Sequence, residues 1–344
     1  MSEATPTLEG PLSSAGAARL QQLGTNLAVK PRTLMGDVWR RFRKHNLALI
    51  GVTILVFLTL VVTLGGPFYV DRLVAVSAAE GSPVPSENPT LKDMGDHLNF
   101  LAILSPPTVN HPFGTDDLGR DLFARALYGG RISLAVGFTA MLIAISLGSV
   151  VGALSGFLGG WVDNLLMRIT DLFLSLPSIP LILLTVYLFR DPVIKLMGSP
   201  EAGIFVIVVV MIGGLAWMQT ARVVRASFLS LKEKEFVEAA TALGVSKTAI
   251  MFKHILPNAM SPIIVAATLE IGNAIITEST LSFLGVGFPA DTPTWGRLVT
   301  DGSQYLQAAP WLALIPGFLI FVTVLSINFV GDGLRDALDP RSRL

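Results

Sequence analysis

Six long apolar runs constrain this chain more than any other feature. They are 47–64, 132–157, 170–189, 203–218, 257–285 and 312–330. Most reach the roughly 20 residues that a helix needs to cross a bilayer, and the fourth does so if 219–221 extend it. Charged residues make up only 15% of the 344 residues, which is too few for a soluble domain of this size. The sequence therefore predicts an all-α polytopic membrane protein with about six transmembrane helices.

The distribution of basic residues predicts the orientation of these helices. With the N-terminus inside, the inside segments total 110 residues and hold 17 lysines and arginines, whereas the outside segments total 106 residues and hold 8. Because cytoplasmic loops carry the excess of positive charge, both termini are expected in the cytoplasm. Four basic residues precede the first run, which is expected to be a retained anchor rather than a cleaved signal. They are Arg40, Arg41, Arg43 and Lys44.

Composition and missing motifs exclude several kinds of chemistry. The chain has no cysteine, so disulfides, thiolate nucleophiles and cysteine metal sites are ruled out. Its four histidines include no H-E-x-x-H pair, and no G-x-x-x-x-G-K-[ST] loop occurs, so any ATP must bind to another chain. An intramembrane enzyme would lack a nucleophile–base pair, since no histidine lies in an apolar run and no G-x-S-x-G elbow is present. The formal net charge of zero gives no bulk attraction to nucleic acid.

The chain is expected to divide into five parts. These are a disordered cytoplasmic N-terminus (1–35), a first transmembrane helix with its basic flank (36–66), an extracytoplasmic loop (67–131), a transmembrane core (132–331) and a cytoplasmic tail (332–344). The core includes a charged cytoplasmic loop at 219–256. Within the outer loop, 81–86 is expected to be flexible. The stretch from Asp116 or Asp117 to Tyr128 is predicted to be a capped amphipathic helix on the outer surface.

The charged loop carries the pattern of a short helical hairpin. Apolar residues recur there at i, i+4 and i+7 and are expected to share one helix face. They are Phe236, Val237, Ala240 and Leu243. Gly244 suits the left-handed position that ends a helix, Ser246 can cap a second helix, and Pro257 is expected to break the chain before the next run. The sequence predicts a helix-turn-helix that docks into a partner.

Glycines at four-residue spacing mark the end of the second run. They are Gly148, Gly152, Gly156 and Gly160. Such a ridge lies on one helix face and lets another helix approach closely, so it predicts tight packing in a multi-helix bundle. Pro177 and Pro180 in the third run are expected to kink that helix, either as a plain structural kink or as part of a pathway lining.

Polar residues inside the fifth run are candidates for a translocation pathway. They are Glu270, Asn273 and Glu278. An acidic side chain at mid-bilayer costs on the order of 2.5–3.5 kcal/mol on insertion scales, so it usually faces a cavity or a partner. Glu270 is interpreted as part of a polar pathway wall. The alternative, a structural hydrogen bond to a neighbouring helix, is slightly favoured for Glu278.

Two histidine sites have weaker functional interpretations. His111, Asp116, Asp117 and Asp121 are residue types that bind metals, but their spacing matches no known ligand pattern and aspartates are ordinary helix caps, so no metal site is predicted. His254 lies in the charged loop, where a hydrogen bond that fixes the turn before Pro257 is favoured over a pH switch.

Several segments together resemble the dipeptide/oligopeptide permease family of ABC importers. They are HPFGTDDLGRD (111–121), GGWVD (159–163), LSFLG (281–285), PTWG (293–296) and GDGLRDALDP (331–340). The segments EAATALG (238–244) and HILPN (254–258) are similar to the EAA loop, the coupling helix that fits a groove on the ATPase subunit. The resemblance extends over most of 36–340 and matches the C-type membrane subunit.

The resemblance implies a type I ABC importer fold and a role in peptide import at the inner membrane of a prokaryote. The residues that it implies for ATPase coupling are Glu238, Ala239, Ala240, Gly244, His254, Leu256 and Pro257. The implied partners are a second, paralogous permease subunit, two ATPase subunits that bind ATP and magnesium, an extracytoplasmic binding protein and membrane lipid. This chain itself is expected to bind no cofactor and to catalyse nothing.

Two alternatives to a peptide importer remain. Similar permeases carry nickel chelates, glutathione or sugars. A secondary transporter is disfavoured because no internal repeat is visible.

Overall fold

The computed structural model describes residues 34–81, 86 and 88–338, so the segments predicted to be disordered or flexible (1–35 and 81–86) lie largely outside it. The helices of the described residues are α1 (Leu34–Phe42), α2 (Asn46–Ala79), α3 (Leu91–Gly95), α4 (Leu122–Leu158), α5 (Gly160–Leu174), α6 (Ser178–Met197), α7 (Pro200–Lys232), α8 (Glu235–Ala242), α9 (Lys247–Ala249), α10 (Leu256–Phe283), α11 (Trp295–Ser303) and α12 (Trp311–Leu338). A π-helical turn, Ile250–Ile255, joins α9 to α10. Within these ranges the chain forms no strands, which confirms the all-α prediction.

The number of membrane-spanning helices agrees with the sequence prediction. Five stretches are long and apolar enough to cross a membrane, namely α2, α4, α7, α12 and the continuous stretch Lys247–Phe283 that contains α9 and α10. A sixth span results if α5 and α6 are counted together, although they bend by 80° at the break between them. The fold is therefore a bundle of five or six long helices.

The third predicted run, 170–189, is not one kinked helix. Pro177 is the N-cap of α6 and Pro180 lies in its first turn, where a backbone N–H has no helical acceptor in any case. Proline also disfavours helical geometry in the residue before it, so α5 ends at Leu174. The two prolines start a new helix in a new direction.

The first span is longer than predicted. α2 continues to Ala79, whereas the sequence suggested an end near 66. Pro67 lies inside α2 and cannot donate to the carbonyl of Thr63, four residues earlier. Arg131 of α4 supplies the missing hydrogen bond from Nη2 to Thr63 O (3.1 Å), and its Nε donates to Val62 O (2.8 Å). An arginine from the neighbouring span thus allows the proline to remain within a continuous helix.

The surface helix predicted between Asp116 and Tyr128 is not a separate element. Asp121 caps α4, and its Oδ1 accepts from the backbone N–H of Ala124 at 2.7 Å. From Leu122 the helix runs without a break to Leu158. The second half of the predicted surface helix is therefore the first two turns of a membrane span, and the first half is a loop.

α4 and α7 form the most extensive helix contact, and the glycine ridge lies in it. A Cβ added at Gly148 or Gly152 would lie 2.5 Å from Thr220 Cβ or Ala221 O, and one at Gly156 would lie 2.7 Å from Phe228 Cβ. Gly160 does not continue this ridge. It lies at the start of α5 with φ +56° and no neighbouring atom within 4 Å of an added Cβ.

Candidate functional site

A helical hairpin protrudes from one end of the bundle. α7 extends beyond its apolar part to Lys232, and α8, α9 and the π-helical turn follow before α10 re-enters the bundle. We call residues 235–255 the docking hairpin. The C-terminus of α12 lies at the same end, since Arg335 and Leu338 line a cavity of about 440 Å³ together with Val223 of α7. We call this end of the helix bundle the hairpin end and the opposite end of the bundle the far end.

The first helix of the docking hairpin has one buried and one exposed face. Val237 and Ala240 are 5% and 6% exposed and pack against Phe228 of α7 and Ile250 of the second arm. Phe236 is 38% exposed, and Leu243, the residue that follows the last turn of α8, is 84% exposed. The four apolar residues that the sequence assigned to one face thus differ in burial: Phe236 and Leu243 are neighbours of Ala240 at i, i+4 and i, i+3 spacing but stay accessible.

The turn of the hairpin is held by a complete set of backbone hydrogen bonds. Gly244 has φ +74°, and its N–H donates to Thr241 O at 3.0 Å. The N–H of Val245 donates to Ala240 O at 3.1 Å. This pair of bonds is the Schellman motif, which requires the left-handed conformation that glycine adopts without steric cost. Ser246 then caps α9 by accepting from the N–H of Ala249 at 3.3 Å. The motif fixes the exposed position of Leu243.

The chain does not break at Pro257, contrary to the sequence prediction. The helical path continues through the π-helical turn, in which the N–H of Leu256 donates to Met251 O, five residues back. Pro257 then lies in the first turn of α10. The backbone carbonyl of His254 accepts from Asn258 Nδ2 at 2.7 Å, a bond that does not involve the imidazole, so the role of the His254 side chain stays a prediction. The second arm therefore passes into a span without a flexible joint.

The predicted coupling residues differ in their accessibility. Glu238, Ala239, Gly244 and Pro257 are exposed, His254 and Leu256 are half-buried, and Ala240 is buried. Ala240 thus belongs to the packing of the hairpin and not to its outer surface. Leu243 and Phe236 take its place as exposed apolar side chains beside Ala239. The sequence offered one signal for Leu243, its position directly before a glycine that ends a helix.

Two ion pairs attach α5 to α7, the helix that leads into the hairpin. Arg225 of α7 donates from Nε and Nη2 to the two carboxylate oxygens of Asp163, both at 2.6 Å. Arg222, one turn earlier, reaches Asp171 Oδ1 at 2.5 Å. Ser155 of α4 also donates to Asp163. Most of α5 is otherwise exposed, with Trp161 at 75% and Leu172 at 61%, so these pairs largely determine its position.

Glu278 does not line an open pathway in this subunit. It is fully buried and accepts hydrogen bonds from Ser282 Oγ and Thr294 Oγ1, both at 2.8 Å, and from Ser133 Oγ at 3.4 Å. Ser133 belongs to α4, and Thr294 is the N-cap of α11. The carboxylate therefore joins α4, α10 and α11, which is the structural alternative that the sequence favoured slightly.

Glu270 and Asn273 lie beside an open face of α10. Asn273 is exposed, Leu269 and Ile276 on the same face are 41% and 46% exposed, and Glu270 is half-buried within hydrogen-bonding reach of the Asn273 side chain. The other faces of α10 are covered, as Gly137 of α4 shows by its contact with Ile275. Of the predicted pathway residues, Glu270 and Asn273 lie beside this open face of α10, whereas Pro177 and Pro180 are exposed at the start of α6.

At the far end, His111 lies between two carboxylates. Its Nδ1 is 2.7 Å from Asp121 Oδ2, and its Nε2 is 3.5 Å from Glu80 Oε2. Tyr69 donates to the same oxygen of Asp121 at 3.1 Å. The hydrogen bond to Asp121, together with the charges of Asp121 and Glu80, raises the pKa of His111 above its ordinary value. His111 is thus part of an ion-pair network that closes the outer loop onto α2 and α4.

The other acidic residues of that segment also bond within the protein. Asp116 Oδ1 accepts from the backbone N–H of Arg120 at 2.9 Å, and its Oδ2 accepts from Arg120 Nε at 2.7 Å. Asp117 accepts from Tyr305 OH at 3.1 Å. Among the described residues, no group of three metal-binding side chains is placed to hold an ion.

A buried arginine holds the far-end loops together. Arg125 of α4 has no exposed surface and donates from Nη1 to Asp96 Oδ1 at 2.9 Å and from Nη2 to Ala290 O at 3.2 Å. Lys92 of α3 reaches Glu201 of α7 at 2.9 Å. The outer loop, the segment before α11 and the spans therefore form one connected polar layer.

Comparisons with known proteins agree with this architecture. Residues 148–344 match the family described as binding-protein-dependent transport system inner membrane component, and 33–75 match the N-terminal transmembrane domain of oligopeptide transport permease C. The dipeptide transport system permease protein DppC of Alkalihalophilus pseudofirmus is 38% identical over 308 residues, which cover 89% of this chain and 90% of that protein. The oligopeptide permease protein OppC of Haemophilus influenzae is 36% identical over 338 residues, or 97% of this chain and 98% of its own length.

Two further comparisons extend these findings. The glutathione transport system permease protein GsiD of Escherichia coli is 36% identical over 316 residues, covering 91% of this chain and 93% of that protein. An inward-facing structure of the MetNI methionine ABC transporter aligns with a TM-score of 0.50 at 22% identity, over 63% of this chain and 98% of that one, which shows a shared fold.

The family match and the fold together define the membrane-spanning subunit of an ABC transporter. The chain belongs to the binding-protein-dependent transport system inner membrane component family.

Proposed function

We propose that this chain is the C-type permease subunit of an ATP-driven importer for peptides. The observation that carries the proposal is the docking hairpin, in which a glycine-stabilised turn presents Leu243 at 84% exposure at the end of a helix anchored by the buried Val237 and Ala240. An exposed leucine at a fixed turn suits insertion into a groove of a partner. The full-length similarity to dipeptide and oligopeptide permeases supports peptides as the substrate class.

In this proposal the chain works without binding a cofactor. Two ATPase subunits bind ATP and magnesium, and one of them receives the docking hairpin on the cytoplasmic side. A second, paralogous permease covers the open face of α10 beside Glu270 and Asn273, and an extracytoplasmic binding protein delivers the peptide to the far end. Closure of the ATPases would move the hairpin, and the continuous helices on both sides of it, as rigid bodies. The excess of basic residues on the hairpin side supports this orientation, with both termini in the cytoplasm.

The hairpin substitution Leu243→Asp tests the coupling role. It places a charge in the groove contact and should abolish peptide uptake and reduce co-purification of the ATPase subunits. Thr248→Asp is the matched control, because it adds the same charge at an exposed position of α9. Normal uptake by the Leu243→Asp complex, with ATPase subunits at normal stoichiometry, would contradict the proposed coupling.

Glutathione is the second candidate substrate, and the similarity to GsiD favours it. Glutathione is itself a peptide, so the pathway chemistry is the same. Uptake of a labelled dipeptide, a labelled pentapeptide and labelled glutathione by the same cells, each with unlabelled competitors, separates the two. Saturable uptake of glutathione alone would replace the wider peptide assignment.

A further inference from the structure

The cavity at the hairpin end has apolar walls and a single charged side chain. It measures about 440 Å³, which is within the range of sites for small ligands. Its walls are Val223 of α7, the face of α10 that carries Val265, Ala266 and Leu269, and the C-terminal turn of α12. Among the described residues that line it, Arg335 of α12 is the only ionisable one. The cavity therefore suits a ligand that is largely apolar and carries one negative group.

The charge of Arg335 is not matched by a carboxylate of the described residues. Arg335 is exposed in the last turn of α12, between Asp332 and Asp336 in the sequence. Asp336 lies 3.5 Å from His45 Nε2 instead, and within 34–81, 86 and 88–338 no carboxylate is at ion-pair distance from Arg335. A guanidinium at the edge of an apolar cavity binds a carboxylate well, because its planar fork matches the two oxygens.

The contact between α10 and α12 shows how far Arg335 lies from Glu270. A Cβ added at Gly331 would lie 2.9 Å from Thr268 Oγ1, so these two positions are at the same level of the bundle. Arg335 is four residues nearer to the hairpin end along α12, and Glu270 is two residues farther from it along α10. With a rise of about 1.5 Å per residue, the two backbone positions differ in depth by roughly 9 Å.

A short peptide matches both this separation and these charges. Its two ends carry an ammonium and a carboxylate, and an extended chain spans at most about 3.3–3.6 Å per residue, so a dipeptide or tripeptide reaches roughly 7–11 Å. Asn273 lies one turn beyond Leu269 on the face of α10 that lines the cavity, with Glu270 beside it. Their oxygens are acceptors for an ammonium group.

We propose that this cavity, together with Glu270 and Asn273, is a transit site that holds a short peptide by its two ends. Arg335 donates to the C-terminal carboxylate, Glu270 accepts from the N-terminal ammonium, and the apolar wall of α10 contacts the peptide side chains without selecting among them. The inference rests on the proposed function, because the second permease must cover the open face of α10 for the cavity to become part of an enclosed passage.

The test is a calorimetric titration of the purified complex in nanodiscs, without binding protein or nucleotide. The ligands are trialanine, its C-terminal amide, which lacks the carboxylate, and its N-acetyl form, which lacks the ammonium. In the unaltered complex each modification should weaken binding roughly tenfold, the size of one hydrogen bond to a charged group. Equal binding of the acid and the amide would overturn the proposal without any substitution in the protein.

Substitutions assign each end of the peptide to its residue. Arg335→Gln should abolish the preference for the acid over the amide and keep the preference for the free amine, whereas Glu270→Gln should do the reverse. Arg335→Lys keeps the charge and should retain part of the acid preference. The control Arg190→Gln removes an exposed cation from α6 near the far end and should keep both preferences. An acid preference that persists in Arg335→Gln would overturn the assignment.

Peptide uptake by cells that carry the unaltered complex separates this inference from the proposed function. Uptake of trialanine without saturable binding to the purified complex would overturn the transit site alone, since residues of the complex itself would then fill the cavity. The absence of any peptide uptake would overturn the proposed function.

Discussion

Asp163 and Arg225 face each other in a two-pronged ion pair, with both N–O distances at 2.6 Å, and they connect α5 to the helix that leads into the docking hairpin. Their side chains are 14% and 34% exposed. Two parallel hydrogen bonds between a planar guanidinium and a carboxylate fix the relative position of the two helices more firmly than a single hydrogen bond does. Movement of α7 by the ATPases would therefore carry α5 with it, and the 80° break before α6 is where the two parts of that span can change their angle.

Breaking this pair should uncouple transport from ATP hydrolysis. Asp163→Asn is expected to cost about 1–3 kcal/mol of local stability, because Arg225 keeps its charge without a partner. Peptide uptake should fall while ATPase subunits still co-purify. The double variant Asp163→Arg with Arg225→Asp should restore part of the uptake, as measured in the same transport assay. If the Asp163→Asn complex transports peptide normally, the ion pair does not transmit movement from α7 to α5.

The glycine contact between α4 and α7 should tolerate no side chain. Gly152→Ala places a Cβ 2.5 Å from Ala221 O and 2.7 Å from Val224 Cβ, so we expect destabilisation by about 1–3 kcal/mol. Gly214→Ala is the control, because nothing lies within 4 Å of an added Cβ there, and it should be neutral or slightly stabilising. Thermal unfolding of the purified complex compares the two, and equal melting temperatures would argue against a close helix contact.

Removing the Glu278 carboxylate should destabilise the bundle without affecting ATPase docking. Glu278→Ala leaves three buried hydroxyl groups without their acceptor and opens a cavity, which together should cost about 2–4 kcal/mol. Glu278→Gln keeps an acceptor oxygen and should be milder. The readout is the melting temperature, with ATPase co-purification measured in parallel. A specific loss of uptake at unchanged melting temperature would instead assign Glu278 to the pathway.

The stability of the far end should depend on pH through His111. Its raised pKa means that protonated His111 is favoured in the folded state. The resulting stabilisation is fully present below the ordinary pKa of histidine, about 6.5, and is lost as pH rises through the higher folded value. Hydrogen exchange of 96–121 should therefore quicken as pH rises above about 6.5, after correction for the intrinsic rate. His111→Gln should remove this dependence, and an unchanged profile in that variant would point to another group.

Much of the architecture follows from local sequence, and the exceptions have physical causes. The apolar runs and Gly244 are local signals, so the spans and the left-handed turn could be predicted. The burial of Ala240 and the exposure of Leu243 could not be predicted, because they depend on how α8 packs against Phe228, which is a tertiary contact. The sequence predicts a kink at Pro177 where the structure has a helix break, because the sequence alone does not distinguish a proline inside a helix from one at a helix start.

The long-range polar contacts could not be predicted from the sequence either. Asp163 and Arg225 are 62 residues apart, and Glu278 meets Ser133 across 145 residues. Nothing in the local pattern pairs these side chains, although the cost of burying a charge indicates that partners must exist. The predicted surface helix before Tyr128 failed for a related reason. A capping aspartate indicates a helix start but not whether the helix continues into the membrane.

Whether the docking hairpin meets an ATPase subunit in the cytoplasm can be read from a single cysteine placed at Leu243. The chain has no cysteine of its own, so the introduced thiol is unique in this subunit. In intact cells, we predict that a thiol–amine cross-linker joins the cysteine at position 243 to an ATPase subunit. A membrane-impermeant maleimide added outside the cells should not label this cysteine. A cysteine at Leu101, 86% exposed at the far end, should show the opposite pattern. Labelling of position 243 from outside, or no cross-link to an ATPase, would show that the hairpin is not the cytoplasmic ATPase contact.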